Sequence, residues 1–165
     1  MEHHFKKGAE MNERFRECVE GLDASYRRLI EMRPAKVCNL PDDVPQHGVY
    51  LFSENGKHLY VGRSKNIRNR LQVHCRPSSR HNAATFAFLL ASKETGRPAV
   101  TYKTKGGRKE LEGTEPFKSA FVKAKEKVRQ MDVRFIEEPD SVKQALLEIY
   151  IAVSLNTPFN DFKTT

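Results

Sequence analysis

The stretch GVYLFSENGKHLYVGRS, residues 48–64, constrains the fold more than any other part of the chain. Two runs rich in aliphatic and aromatic residues flank Glu54-Asn55-Gly56, so the chain turns back on itself as a β-hairpin. Two registers compete. A two-residue turn at Asn55-Gly56 sets Tyr60 opposite Leu51, and a three-residue loop with Gly56 left-handed sets Tyr50 opposite Tyr60. The second gathers Val49, Leu51, Leu59 and Val61 on one face and Tyr50, Phe52, His58 and Tyr60 on the other. A purely aliphatic face suits a buried core, so the second register is the expected one. Both tyrosines then point the same way, away from the aliphatic core. Taken alone, such a pair is an ordinary cross-strand packing contact.

Downstream, Gly62-Arg63-Ser64 turns the chain, and Ser64 is the expected N-cap of a helix over residues 65–75. Ile67, Leu71 and Cys75 form an i, i+4 stripe for the core. Arg70 and His74 share the adjacent ridge, one turn apart. Elsewhere, apolar periodicity predicts one helix over 10–33, ended by Pro34, and a proline-rich connector over 34–47. It predicts further helices over 82–92, 117–130 and 141–154, with a strand over 131–136. Residues 99–103 read as a strand and 103–116 as a basic loop broken by Gly106-Gly107 and Gly113. The expected fold class is α/β (α+β): a small, three-stranded, mainly antiparallel sheet flanked by helices. Residues 1–45 form an N-terminal helix and connector, and 46–165 form one domain with a basic insert at about 96–130.

The 165-residue chain has a net charge of +8, and its distribution says more than its size. Residues 1–45 carry eight Lys or Arg against nine Asp or Glu. Residues 55–93 carry Lys57, Arg63, Lys65, Arg68, Arg70, Arg76, Arg80 and Lys93, and no acidic residue. Arginine dominates this run, and its planar fork matches phosphate geometry better than a solubilising lysine does. A polyanion is the expected partner. Three cysteines without a CxxC pair argue against a disulfide framework or a zinc site. No apolar run approaches membrane-spanning length, and residues 1–15 lack a secretory signal's apolar core. A cytoplasmic protein without membrane association is expected.

The last helix carries a second anomaly. QALLEIYIAVSL is apolar almost all round, with Glu148 in its middle. A carboxylate there needs a cationic partner or a metal. An ion pair with an arginine such as Arg134 and a metal-ligand role are equally open on spacing alone.

Gly48-Val49-Tyr50 and Tyr60-Val61-Gly62, then Arg70, His74, Glu148 and Asn160 in Pro158-Phe159-Asn160, form an ordered set. In this order and spacing it resembles the GIY-YIG endonuclease family over roughly 48–162. The resemblance implies a metal-dependent endonuclease that hydrolyses phosphodiester bonds in DNA by in-line attack of an activated water. It implies Tyr50 as general base supported by Tyr60, Arg70 on the phosphate, and Glu148 binding one Mg²⁺ or Mn²⁺. His74 would orient water or Tyr60, and His81 matches a further histidine of some members. Asn160 matches the family's terminal asparagine and would hold backbone or phosphate. Lys57, Arg63, Lys65, Arg68, Arg76 and Arg80 would contact backbone phosphates without reading sequence. The expected partner is DNA, branched or damaged DNA included, met by a monomer or a transient dimer. The alternatives are a non-cleaving nucleic-acid-binding module on the same fold and a nuclease acting on RNA. A protein-interaction domain leaves the acid-free stretch unexplained.

Overall fold

The computed structural model describes residues 11–97 and 107–162. In chain order the elements are α1 (Glu13–Val19), α2 (Leu22–Glu31), β1 (Ala35–Lys36), β2 (Gly48–Glu54) and β3 (Lys57–Ser64). There follow α3 (Ile67–Cys75), α4 (Thr85–Glu94), α5 (Arg108–Gly113), α6 (Phe117–Gln130), β4 (Asp132–Glu137) and α7 (Ser141–Leu155). The strands form one antiparallel sheet in the order β1-β4-β2-β3, with helices on both faces. The class is the one expected. The sheet gains a fourth strand, because two residues of the proline-rich connector pair with Val133 and Asp132.

The hairpin register differs from the expected one. Asn55 and Gly56 both have positive φ (51° and 76°), as a two-residue type I′ turn requires. Glu54 pairs with Lys57 and Ser53 with His58, but Phe52 pairs with Tyr60. Leu59 is therefore an extra residue, a β-bulge that shifts the ladder by one. Tyr60 lies opposite Phe52 and Tyr50 opposite Gly62. Beyond the bulge the alternation is restored. Val49, Leu51 and Val61 lie in one core cluster, while Tyr50, Phe52 and Tyr60 lie in the other. Leu59 joins the tyrosine side, and His58 bonds Ser53 at 2.9 Å instead of joining the tyrosines.

The two clusters divide the helices. Val49, Leu51 and Val61 pack with Leu29 of α2 and with Leu147 and Ile151 of α7. Tyr50 and Phe52 pack with Ile67 and Leu71 of α3, Phe86 and Phe88 of α4, and Phe121 of α6. The tyrosine face points away from the aliphatic core, as expected, and carries a second, larger core of its own. Gly48 lies so close to β4 that any Cβ there would collide with the Ile136 carbonyl, and its φ of 151° further disfavours a side chain.

Other boundaries moved for local reasons. The helix expected over 10–33 is two helices, because Gly21 adopts a left-handed conformation (φ 86°) between them. Met11 and Phe15 are exposed as a result, not part of one core stripe. The α3 N-cap is Asn66, whose side chain accepts from Asn69 N at 3.0 Å. Ser64, the expected cap, accepts from Asn66 N two residues earlier. The helix expected from 82 starts at Thr85. Part of the expected loop, Arg108–Gly113, is helical. The expected strand over 99–103 lies outside the described residues. The α7 cap was legible: Asp140 Oδ1 accepts from Val142 N and Lys143 N, as Pro139-Asp140-Ser141 suggests.

Candidate active site

The tyrosine face gathers four of the expected site residues. Tyr50 is 1% exposed, and its hydroxyl lies 2.8 Å from His74 Nε2. Gly62 faces it across the ladder, where any Cβ would fall on the Tyr50 hydroxyl. The glycine of the second motif is therefore a steric requirement for seating the phenol. Tyr60 is partly buried and stacks on Phe86, with ring centroids 4.9 Å apart and planes 10° from parallel. His74 is fully buried and meets Tyr50, Phe52 and Tyr60 edge-on. Its Nδ1 has no hydrogen-bond partner. Arg70, one turn before it on α3, donates from Nη1 to the Ala83 carbonyl at 2.9 Å. That carbonyl fixes the guanidinium beside the phenols.

Burial sets the protonation states here. It pushes the Tyr50 hydroxyl well above the usual phenol range, and the neighbouring Tyr60 adds to the rise. Tyr60 is raised too, again mainly by burial. Arg70 opposes both shifts without cancelling them. Burial, then Arg70, holds His74 well below its usual range, so at neutral pH the imidazole is neutral. With its proton on Nδ1, Nε2 is free to accept from the Tyr50 hydroxyl.

Glu148 comes from the opposite layer. It sits on α7, and its negative charge adds, after burial, to the upward shift of both phenols. Its partner is Arg63, whose Nε lies 3.0 Å from Oε2. The alternative partner, Arg134, instead donates to the Met32 carbonyl. Burial raises the Glu148 carboxyl, and Arg63 only partly offsets that. Among the described residues no group of three or more His, Cys, Asp or Glu could cage a metal. A single half-buried carboxylate suits a divalent ion that takes few protein ligands.

The remaining expected residues are spread more widely. Asn160 spends its amide on β3: Oδ1 accepts from Val61 N and from Thr157 Oγ1, and Nδ2 donates to Val61 O. It covers the open edge of the sheet. His81 and Arg80 both engage Glu112 of α5. Arg68 donates to the Pro41 carbonyl. Lys57, Lys65 and Arg76 are exposed. Sequence reasoning missed Phe86 beneath Tyr60 and the Ala83 carbonyl behind Arg70, which have no motif. It named Arg63 only as a phosphate contact, although its parity with Val61 already aimed it at the layer of α7.

The residues so placed suit phosphoryl transfer: positive charge for the phosphate, a paired phenol for a proton, and a carboxylate for a cation. A family model for the GIY-YIG catalytic domain matches residues 46–157, which take in both motifs, Arg70, His74 and Glu148. The chain belongs to the GIY-YIG family. Its domain is a catalytic endonuclease domain, a hydrolase of phosphodiester bonds, and its substrate is nucleic acid. No curated protein and no solved structure matches the chain. No helix among the described residues is long and apolar enough to cross a membrane.

Proposed function

We propose that the protein is a divalent-metal-dependent DNA endonuclease in which Tyr50 is the general base. The observation that supports this best is the convergence of Tyr50, Tyr60, Arg70 and His74 on one sheet face, where the charge of Glu148 also acts on both phenols. A Mg²⁺ or Mn²⁺ ion held by Glu148 would supply charge relief at the leaving oxygen and favour the phenolate. Arg70, braced by Ala83 O, holds the scissile phosphate. His74 accepts from the Tyr50 hydroxyl and keeps the phenol oxygen in one orientation. Tyr60, held flat on Phe86, fixes the other side of the phosphate. Exposed Lys57, Lys65 and Arg76 carry the flanking backbone.

The test is cleavage of supercoiled plasmid and of a branched DNA by the full chain with Mg²⁺, Mn²⁺ or EDTA, beside Glu148→Ala. Cutting that needs the metal and is lost in Glu148→Ala is expected. Cutting in EDTA, or an unimpaired variant, would overturn the reading.

A further inference from the structure

Arg63 of β3 and Glu148 of α7 form an ion pair, Nε to Oε2 at 3.0 Å. The same carboxylate is the one that reaches both phenols and the one assigned above to the cation. Two positive groups therefore have a claim on it. A guanidinium at hydrogen-bond distance and a divalent ion on the same carboxylate repel each other, so each weakens the other's hold on it.

The geometry makes exchange feasible. The Glu148 side chain is 24% exposed and that of Arg63 45% exposed, so the arginine is at the rim. Arg63 follows Gly62, the residue lying against the Tyr50 hydroxyl. Its backbone pairs with Val49 in the regular ladder beyond the bulge, so only the side chain needs to move. A guanidinium released at this rim is one strand residue from the seat of the phenol. There a phosphate can take it in a bidentate grip.

We propose that Arg63 is a positioning residue that couples metal binding to nucleic-acid binding. In the absence of nucleic acid it occupies Glu148 and keeps the affinity for a divalent ion low. An arriving backbone phosphate takes the guanidinium, frees the carboxylate and so favours metal uptake. Coupling is reciprocal: the ion, by displacing Arg63 from Glu148, makes the guanidinium available to the phosphate. The device limits assembly of a loaded site to molecules already on substrate. This inference rests on the metal role assigned to Glu148.

The test reads metal, not cleavage. Mn²⁺ is titrated into the full chain without nucleic acid, and bound ion is followed by electron paramagnetic resonance for the parent, Arg63→Gln, Arg63→Lys and Glu148→Ala. Arg63→Gln is expected to bind Mn²⁺ roughly 5–150-fold more tightly than the parent, the usual size of coupling between two ligands. Arg63→Lys, which keeps the charge, stays near the parent. Arg63→Gln also binds a short DNA duplex in EDTA more weakly, with a salt slope lower by about one phosphate. A merely structural role for Arg63 would lower Mn²⁺ affinity or leave it alone, and either result overturns the proposal. The two readings fail separately. If Glu148→Ala loses Mn²⁺ but Arg63→Gln gains none, the coupling is wrong and the metal site stands. If Glu148→Ala binds as the parent does, or no protein takes up Mn²⁺, both are wrong.

Discussion

The two faces of the β2–β3 hairpin come from alternate residues of the same strands, and they are built for different ends. Under α2 and α7 the side chains are Val49, Leu51 and Val61, with Leu29, Leu147 and Ile151 against them, and none carries a polar atom. Under α3 and α4 the side chains are Tyr50, Phe52 and Tyr60, and the core includes a fully buried histidine with an unpartnered nitrogen. A cohesive aliphatic layer lets the opposite face tolerate buried hydroxyl and imidazole groups that on their own cost stability. The contrast teaches where to look for chemistry in a small sheet. On the proposed function, it is on the face whose packing is less favourable than it could be.

Substitutions one residue apart should separate the faces. Gly62→Ala places a methyl group where the Tyr50 hydroxyl sits, so plasmid cleavage should fall by about 10²-fold or more through misplacement of the phenol. Steady-state cleavage assays check this, and a parental rate would mean the phenol's seat is irrelevant. On the other face, Leu51→Ala should cost about 2–5 kcal/mol of stability in urea unfolding, with the folded fraction still cutting at the parental rate. Activity lost out of proportion to unfolding would break the comparison.

Asn160→Ala is a smaller probe. It strips both Val61 backbone groups of their partners on the open edge of β3, and should destabilise by about 1–3 kcal/mol in the same unfolding assay. Smallest is the pH effect of His74 on the aromatic face. His74 is held well below its usual value, so the unfolded chain binds a proton that the folded chain refuses. This contribution to stability is complete above the unfolded pKa of about 6.5 and is lost as pH falls toward the folded value. Thermal melts should drop across that acid window in the parent, and His74→Phe should flatten this part of the profile.

Much of this was legible in the sequence, and the misses have causes. Periodicity located α6, α7 and β4, and parity sorted the tyrosines from the aliphatic residues. The register was not legible, because the bulge at Leu59 has a non-local partner: the Leu59 carbonyl accepts from Phe159 N, a hundred residues away. The break at Gly21 was visible as a glycine, but the apolar spacing ran straight through it. Glu148 announced itself as a carboxylate in an apolar helix. Its partner did not, since choosing Arg63 over Arg134 needs β3 at the edge of the sheet. The convergence of Arg70 and His74 was legible because both lie on one ridge of one helix.

The most direct test of the account is the single-turnover rate of supercoiled-plasmid cleavage by Tyr50→Phe with saturating Mg²⁺, set beside its melting curve and DNA affinity. Removing one oxygen atom from the aromatic face should slow cutting by about 10²–10⁴-fold, the range for a general base. The DNA affinity should stay near the parent's and the fold should survive. A Tyr50→Phe protein that is folded, binds DNA and cuts within a few-fold of the parent would contradict the central claim that this face carries the chemistry through Tyr50.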